Sequence, residues 1–333
     1  MNRPVEPLPF LGQKVIITGG LGFIGSTLAR RLVVDGAQVI LVDSLIPQYG
    51  GNLHNIAGID GQLTVNISDV RDVHSMRSLV QGCHFLFNLA GQTSHLDSME
   101  DPYTDLDINC RAQLAILEVC RQYNPMIRVV YASTRQIYGK PEYLPVDEKH
   151  LLRPVDVNGI NKMAGEWYHI LYNNVYGIPA CALRLTNTYG PRMRVKDARQ
   201  TFVGIWVRLI LEGKPFEVWG GRQKRDFTYV DDAVDALILA ATHPAACGQV
   251  FNLGGAEPPV TLSDLAALLV RVNGGGEFML REFPEARKRI DIGDYYADDQ
   301  LIRKVFGWQP KVALAEGLER TLAFYRENLS HYV

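Results

Sequence analysis

One stretch near the start of the chain, VIITGGLGFIGSTLARRL (residues 15–32), joins an apolar run to a helical pattern through a glycine-rich turn. The run VIIT is rich in β-branched residues, which is typical of a buried strand. Gly19, Gly22 and Gly25 follow it, where glycine permits a tight turn, close approach of the backbone to a ligand and close packing of a helix. The stretch therefore predicts a strand–turn–helix unit whose backbone N–H groups can hold a pyrophosphate.

The first half of the chain repeats this alternation of short β-rich runs and helical patterns. The runs are KVIIT, QVILVD, QLTVN, HFLFNLA, IRVVYAS and ACALRL, with helical patterns at 22–35 and 104–123. Such alternation predicts parallel βαβ units and a doubly wound, Rossmann-type α/β sheet. After about residue 185 the elements become shorter and richer in Gly, Pro and Arg. We therefore expect a dinucleotide-binding domain over 1–184, which also receives a segment at about 226–253, and a smaller, loop-rich α/β substrate domain mainly over 185–333.

A carboxylate at the end of the second predicted strand favours one dinucleotide over another. Asp43 closes QVILVD, 18 residues after Gly25. A carboxylate at this place accepts hydrogen bonds from the adenosine ribose hydroxyls and repels a 2′-phosphate, so the sequence predicts NAD rather than NADP. Asp69 and Val70 follow the third predicted strand, where the adenine edge would lie. The alternative for Asp69 is a solvated acid in a loop.

The composition excludes several classes of partner. The chain has 333 residues, of which 47% are apolar and 21% charged, and its net charge of −2 gives no basic field for nucleic acid. No apolar run approaches the roughly 20 residues of a membrane span, and the start MNRPVEPLPF lacks the apolar core of a secretory signal. We therefore expect a cytoplasmic protein without a membrane partner. The five cysteines, without C-x-x-C spacing, predict reduced thiols and no metal site.

Several motifs in order resemble the extended short-chain dehydrogenase/reductase family, in particular its NAD-dependent nucleotide-sugar epimerases and dehydratases. They are TGGLGFIG, LAGQTSH, Asn109 in DINCRAQ, YASTRQIYG, NGINKMAGE, RLTNTYGP, GGRQKRDFTYVDD and ADDQLIRKVFGWQP, and they cover nearly the whole chain. The resemblance implies that NAD takes a hydride from a sugar carbon, usually C4, while a Tyr removes the hydroxyl proton and a Lys lowers the pKa of that Tyr. The NAD contacts that it implies are Gly19, Gly22, Phe23, Ile24, Gly25, Asp43, Asp69, Val70, Leu89, Ala90 and Lys162.

The segment NGINKMAGE departs from the family pattern at its catalytic base. Asn158 and Lys162 are four residues apart and would share one face of a helix. Lys162 matches the family's lysine, but Asn158 stands where the Tyr is expected and cannot ionise. Thr134 matches the hydroxyl that hydrogen-bonds the reacting sugar oxygen. Lys162 and His95, which follows the fourth predicted strand, are the two candidates for the missing base.

The residues after Thr134 narrow the choice among the reactions that the family catalyses. Dehydratases of the family carry acidic residues there and decarboxylases carry a glutamate, whereas this chain has Arg135 and Gln136. Elimination of water needs an acid and a base near the leaving group, so a 4,6-dehydratase is disfavoured. The positions that the resemblance assigns to the nucleotide sugar are Thr134, Asn187, Arg225 and one of Arg287 and Arg289, of which we favour Arg289.

These observations predict an NAD-dependent nucleotide-sugar epimerase that oxidises and re-reduces one ring carbon, with C4 favoured. Two alternatives stay open: a degenerate member of the family that binds NAD and a nucleotide sugar without turnover, and a net oxidase or reductase that releases its product. Helices near 104–123 and 158–175 resemble the family's paired-helix interface. Their apolar faces predict a homodimer.

Overall fold

The computed structural model describes residues 9–283 and 288–333, and in this part of the chain a seven-stranded parallel sheet forms the centre of the molecule. The strands are β1 (Lys14–Thr18), β2 (Gln38–Asp43), β3 (Thr64–Ile67), β4 (Phe85–Asn88), β5 (Arg128–Thr134), β6 (Ala180–Leu185), β7 (Asn187–Tyr189), β8 (Phe216–Trp219), β9 (Lys224–Arg225), β10 (Phe227–Tyr229), β11 (Val250–Asn252), β12 (Val260–Thr261) and β13 (Phe278–Arg281). The sheet order is β3-β2-β1-β4-β5-β6-β11, and all neighbouring pairs are parallel. The predicted Rossmann-type α/β fold is confirmed.

Helices cover both faces of this sheet. They are α1 (Phe23–Val34), α2 (Val73–Val80), α3 (His95–Glu100), α4 (Pro102–Leu106), α5 (Ala112–Tyr123), α6 (Val157–Tyr176), α7 (Phe202–Leu211), α8 (Val230–Thr242), α9 (Leu262–Asn273), α10 (Gln300–Phe306) and α11 (Leu314–Asn328). Ile17 packs with Leu28 of α1 and Leu237 of α8, whereas Ile16 packs on the opposite face with Ile116 of α5. Successive strand residues point to opposite faces, so burial on both sides explains the continuous apolar runs.

The second half of the chain forms a separate core and also returns to the large sheet. Trp206 of α7, Phe216 of β8, Leu269 of α9 and Leu318 of α11 share the second core. The segment that we assigned to the first domain contains α8 and β11, and β11 pairs with β6. Helix α10 also packs on the large sheet through Ile302, a return that the sequence did not predict. The domain boundaries themselves stay a prediction. Among the described residues no helix combines the length and apolar character needed to cross a membrane.

Candidate active site

A cleft of about 280 Å³ opens at the carboxyl ends of β1 to β6. The order of a doubly wound sheet changes direction between β1 and β4, and ligands bind in the crevice at such a switch point. Most of the predicted site residues line this cleft: Gly19, Gly22, Phe23, Ile24, Gly25, Asp43, Asp69, Val70, Leu89, Ala90, His95, Thr134, Asn158, Lys162 and Asn187. The fold thus brings residues from six strand ends into one site.

The glycine turn leaves no room for side chains, and the first helical turn of α1 behind it has backbone N–H groups without an intrahelical partner. Gly19 has a φ of +67°, and a Cβ there would lie 3.0 Å from the amide nitrogen of Ala90. A Cβ at Gly25 would lie 2.2 Å from the carbonyl oxygen of Gly19. Helix α1 begins directly after this turn, and no described side chain caps its N-terminus. Free N–H groups and the positive end of the helix dipole fit the pyrophosphate of a dinucleotide.

Asp43 lies at the rim of this turn, where it is fixed by backbone N–H groups. Its Oδ2 accepts from Leu21 at 3.1 Å and its Oδ1 from Leu45 at 2.9 Å. Burial raises the pKa of Asp43, and the two N–H groups act against that shift. A carboxylate has about four acceptor sites, so capacity remains for ribose hydroxyls. The arrangement fits the predicted contact with an adenosine ribose.

Asp69 and Val70 line the cleft after β3, but the carboxylate of Asp69 already has a partner. It accepts from the guanidinium of Arg71 at 2.7 and 3.0 Å and from the N–H of Arg71 at 2.9 Å. The hydrogen bonds from this guanidinium hold the pKa of Asp69 below its usual value. This geometry orders the loop around Val70, and the adenine contact stays a prediction.

Asn158 is held rigidly by acceptors that surround its amide nitrogen. The Nδ2 group donates to the carbonyl oxygen of Gln92 at 2.8 Å and to Oδ2 of Asp105 at 3.0 Å. Both amide hydrogens are therefore used. Within residues 9–283 and 288–333, no protein donor contacts Oδ1, and the atom is not enclosed by protein. Asn158 therefore presents a fixed hydrogen-bond acceptor to the cleft, where the family's Tyr would present a hydroxyl.

The carboxylate of Asp105 organises this part of the site. It is fully buried and accepts from the amides of Asn109, Asn158 and Asn161 at 2.8 to 3.0 Å. The predicted helix over 104–123 is interrupted here by a π-helical turn, Asp107–Arg111, between α4 and α5. Such turns occur frequently at functional sites. The turn carries Asn109, whose buried Oδ1 has no partner among the described residues.

Lys162 projects from α6 toward the end of β5. Its Nζ donates to the carbonyl oxygen of Ala132 at 2.7 Å and lies 4.6 Å from the ring centre of Tyr131. Burial lowers the pKa of Lys162 to about 8, while the negative charges of Asp105 and Glu166 oppose the shift. A lysine with such a pKa can exchange a proton near neutral pH. Its role as the replacement for the missing Tyr stays a prediction.

His95, the other candidate base, is held by the start of α6. Its Nδ1 lies 2.9 Å from Oδ2 of Asp156, the residue that caps α6 through the N–H of Gly159. Burial alone would raise the pKa of Asp156, but the contacts with His95, Gly159 and Gln136 lower it. Since Nδ1 faces Asp156, only Nε2 of His95 is left to meet a substrate. Its part in proton transfer stays a prediction.

The predicted substrate residues are only partly brought together. The hydroxyl oxygen of Thr134 accepts the N–H of Gln136 at 3.2 Å, and its hydrogen stays available to a ligand. Asn187 lines the cleft and accepts from Arg135 at 2.9 Å. Arg225 lies outside the cleft lining, where it is buried against Asp291 and the carbonyl of Gly293.

The two remaining candidates for the diphosphate lie at the edge of what the structure describes. Arg289 is exposed and does not line the cleft. Arg287 lies outside the described residues. Burial, followed by the like charge of Arg135, lowers the pKa of Arg225 to about 10. The diphosphate contacts of Arg225 and Arg289 therefore stay predictions.

The chain matches the NAD dependent epimerase/dehydratase family over residues 15–254. It belongs to this family. It is 33% identical over 316 residues to UDP-glucose 4-epimerase of Mycolicibacterium smegmatis, with 94% of this chain and 99% of that relative covered. The solved structure of UDP-glucose 4-epimerase from Thermotoga maritima with UDP-glucose aligns with a TM-score of 0.87 at 29% identity, covering 95% of this chain and 100% of that one. The Thermus thermophilus UDP-glucose 4-epimerase in complex with NAD aligns with a TM-score of 0.82 at 28% identity over 94% and 99% of the two chains.

Membership of the family confirms the resemblance drawn from the motifs and the prediction of NAD as cofactor.

Sequence reasoning missed Asp105 and Gln92, which hold Asn158. Both are polar residues beside predicted cleft segments, but each contacts Asn158 across more than 50 positions of sequence. The amides of Asn109, Asn158 and Asn161 all donate to the buried carboxylate of Asp105, and no spacing along the sequence predicts that these side chains meet. Among the described residues no group of His, Cys, Asp and Glu side chains could hold a metal ion.

Replacing Asp43 by Ala should weaken NAD binding and narrow the preference for NAD over NADP. The hydrogen bonds of a charged group are worth about 1.5 to 3 kcal/mol, and burial of two like charges costs several kcal/mol. Asp43→Asn removes the charge but keeps an acceptor, so it should affect selectivity more than NAD affinity. Calorimetry with both cofactors checks this, with Asp60→Ala, an exposed aspartate outside the cleft, as control. Comparable affinities of the wild type for NAD and NADP would contradict the role of Asp43.

Proposed function

We propose that the protein is an NAD-dependent nucleotide-sugar epimerase that oxidises and re-reduces one ring carbon, with C4 favoured. The observation that carries the proposal is the meeting of three groups in one cleft: the glycine turn, the end of β5 with Thr134, and the buried Lys162. The UDP-glucose 4-epimerase relative aligns over nearly all of both chains, which supports the same reaction class.

When bound, NAD supplies the hydride chemistry, taking a hydride from the sugar carbon and returning it. The protein's part is to orient the sugar and to move one proton. The Thr134 hydroxyl can donate a hydrogen bond to the reacting oxygen, and Oδ1 of Asn158 can accept one from a neighbouring hydroxyl of the sugar, which leaves the hydrogen of the reacting hydroxyl for Lys162. Lys162 is the group with a pKa suited to take the proton from that hydroxyl, since an amide cannot.

The residues after Thr134 favour epimerisation over dehydration. Dehydration across C5 and C6 would need an acid and a base near those carbons. The corresponding positions here hold Arg135, which is cationic, and Gln136, whose amide donates to Asp156 at 2.8 Å. Neither side chain can perform both proton transfers.

A cytoplasmic location remains a prediction, supported by the free state of all five cysteines.

A panel of UDP-, dTDP-, GDP-, CDP- and ADP-sugars tests the proposal. NADH absorbance and product stereochemistry are followed together, with Lys162→Met as the blank. An epimerase gives a new stereoisomer with no net NADH. A net oxidase or reductase gives a stoichiometric change in NADH instead. Tight binding of a nucleotide sugar with neither signal would identify a degenerate, non-catalytic member of the family.

We further propose a homodimer formed through α5 and α6. Helix α6 carries an exposed apolar stripe of Ile160, Trp167, Leu171 and Val175, of which Trp167 is 55% and Val175 60% exposed. Their spacing of four or seven residues places them on one side of the helix. Large exposed apolar side chains in a row mark interaction surfaces, and a two-fold axis would pair this stripe with itself.

Sedimentation at micromolar concentration should therefore give a dimer. Trp167→Glu should shift the protein to monomer because it places a charge in the centre of the stripe. Val34→Glu, at an even more exposed apolar position at the end of α1, is the matched control and should leave the dimer intact. A monomeric wild type would contradict the proposal.

A further inference from the structure

Arg135 is the one arginine among the described residues that lines the cleft. It directly follows Thr134 at the end of β5 and begins the short 3₁₀ turn Arg135–Tyr138. Its Nη2 donates to Oδ1 of Asn187 at 2.9 Å, and its Cζ lies 5.5 Å from the ring centre of Tyr295. The guanidinium has five N–H donors, so most of its hydrogen-bonding capacity remains for a ligand.

The charge of Arg135 is not neutralised by a direct ion pair. In the described part of the chain, no carboxylate lies within 4 Å of its guanidinium, although Asp226 and Asp291 are electrostatic neighbours. Asp226 accepts instead from Thr186 and from the N–H of Ala297. Asp291 contacts Arg225 at 3.3 Å and the N–H of Gly293 at 3.0 Å. Both nearby carboxylates are therefore engaged elsewhere.

Two further observations indicate that an anion belongs beside Arg135. A partly buried cation without a paired anion is costly, and burial lowers the pKa of Arg135 while Asp226, Tyr295 and Asp291 oppose the shift. The hydroxyl of Tyr295, whose ring faces the guanidinium, is buried without a hydrogen-bond partner in residues 9–283 and 288–333. Arg225 lies close enough for its own pKa to be lowered by the charge of Arg135. The guanidinium of Arg135 thus keeps spare donors and lacks a direct carboxylate partner, although Asp226 and Asp291 offset part of its charge from a distance.

The position of Arg135 along β5 selects which anion of a nucleotide sugar it meets. Lys162 is tied to the carbonyl of Ala132 on the same strand, and Thr134 is assigned to the reacting oxygen. Arg135 is adjacent to Thr134 in the cleft lining, so with Thr134 on the reacting oxygen it is expected to face the substituents of the carbons that flank the reacting one. In a hexopyranose that reacts at C4, these are C3 and C5 with its C6 group. The diphosphate is attached to C1, across the ring.

We propose that Arg135 selects a nucleotide sugar whose glycosyl unit carries a carboxylate beside the reacting carbon. The proposal rests on the epimerase function proposed above. The carboxylate is either C6 of a hexuronate or the acid of a lactyl ether on O3. Arg binds either one through two parallel N–H···O bonds, which a neutral hydroxymethyl or hydroxyl group cannot accept with equal strength.

Two matched substrate pairs test this inference. UDP-glucuronate and UDP-glucose differ in the C6 carboxylate, and UDP-N-acetylmuramate and UDP-N-acetylglucosamine differ in the lactyl ether. If the panel of nucleotide sugars shows that the protein prefers a nucleotide other than UDP, the same two pairs of sugars are compared on that nucleotide. The wild type should favour the acidic member of one pair by about 10-fold or more in kcat/KM, and that pair identifies the position of the carboxylate.

Arg135→Met should lower kcat/KM for the preferred acidic sugar by roughly 100-fold while the neutral sugar changes less than threefold. Calorimetry with UDP alone should give an unchanged Kd, because the diphosphate is not the partner of Arg135. Arg135→Lys should retain part of the preference, since it keeps the charge but loses the fork. Arg153→Met, at an exposed arginine paired with Glu142, is the matched control and should change nothing.

Other outcomes overturn the inference. Equal losses for acidic and neutral sugars, with weaker UDP binding, would assign Arg135 to the diphosphate. Unchanged kinetics of Arg135→Met would remove Arg135 from recognition. If no nucleotide sugar is epimerised, the proposed function fails, and the inference is then decided by binding: equal calorimetric affinities for both members of each pair would overturn it. Thermal melting and NAD affinity of each variant show that the fold is retained.

Discussion

Lys162→Met is expected to lower kcat by about 10² to 10⁴, the usual contribution of positioned proton transfer. Lys162 is the ammonium that lies on the cleft at the end of β5, and Asn158 cannot accept a proton in its place. Methionine has a similar volume and removes a buried charge, so the fold should be retained. NAD affinity is measured separately, because Lys162 is also expected to hold the nicotinamide ribose.

The pH dependence of wild-type activity should follow the protonation state of Lys162. A base must be deprotonated to act, and burial lowers the pKa of Lys162 to about 8 against the opposing charges of Asp105 and Glu166. About one tenth of the amine is then neutral at pH 7, and the neutral fraction rises as pH increases. Activity should therefore climb with pH and level off above about pH 8. The positive charge of bound NAD should shift this rise in activity, the alkaline limb of the pH profile, to lower pH, because like charges depress an amine pKa.

A matched control and a second variant make the test decisive. Lys140→Met, at an exposed lysine outside the cleft lining, should leave both kcat and the pH profile unchanged. His95→Gln should keep the alkaline limb if Lys162 is the base. Undiminished turnover in Lys162→Met, with loss of activity in His95→Gln, would remove lysine from the mechanism and assign proton transfer to His95.

The sequence was sufficient to predict those parts of the site that depend on local spacing. The glycine turn, Asp43 at a strand end and Lys162 on the helix after β5 each follow from one element and its neighbours, and all three line one cleft. Helix α6 places Asn158 and Lys162 on the same side, as their spacing predicts. Local patterns predict such positions because a strand or helix fixes them by itself.

Other features could not be predicted because they depend on contacts between distant segments. Asn158 has its donors oriented by Asp105 and Gln92, which are 53 and 66 positions away. Arg225 matched a family motif, yet it lies outside the cleft lining because the segment near Asp291 folds over its guanidinium. Which side chains meet in such loops is decided by tertiary packing rather than by spacing along the chain.

Restoring the family residue by Asn158→Tyr is expected to lower turnover about 10-fold or more rather than raise it. A phenol cannot replace the two N–H groups that Asn158 donates to Gln92 and Asp105. Each buried acceptor left without its donor costs about 1 to 3 kcal/mol, so the variant should also be less stable. Asn158 is only 3% exposed, and the larger ring would have to enter the space where the sugar is expected.

Asn158→Ala separates the two causes of this loss. It removes the same donors without adding bulk, so a lower kcat in Asn158→Tyr than in Asn158→Ala measures crowding of the sugar. Thermal unfolding of both variants measures the lost hydrogen bonds. A rise in turnover for Asn158→Tyr would show that the pocket still accommodates the family's base and that the natural protein is a degenerate member of the family. A fall in both variants, with Lys162→Met inactive, fits a site reorganised around the amide: Asp105 and Gln92 fix Asn158 as an acceptor for a neighbouring hydroxyl of the sugar, and Lys162 takes the proton of the reacting hydroxyl.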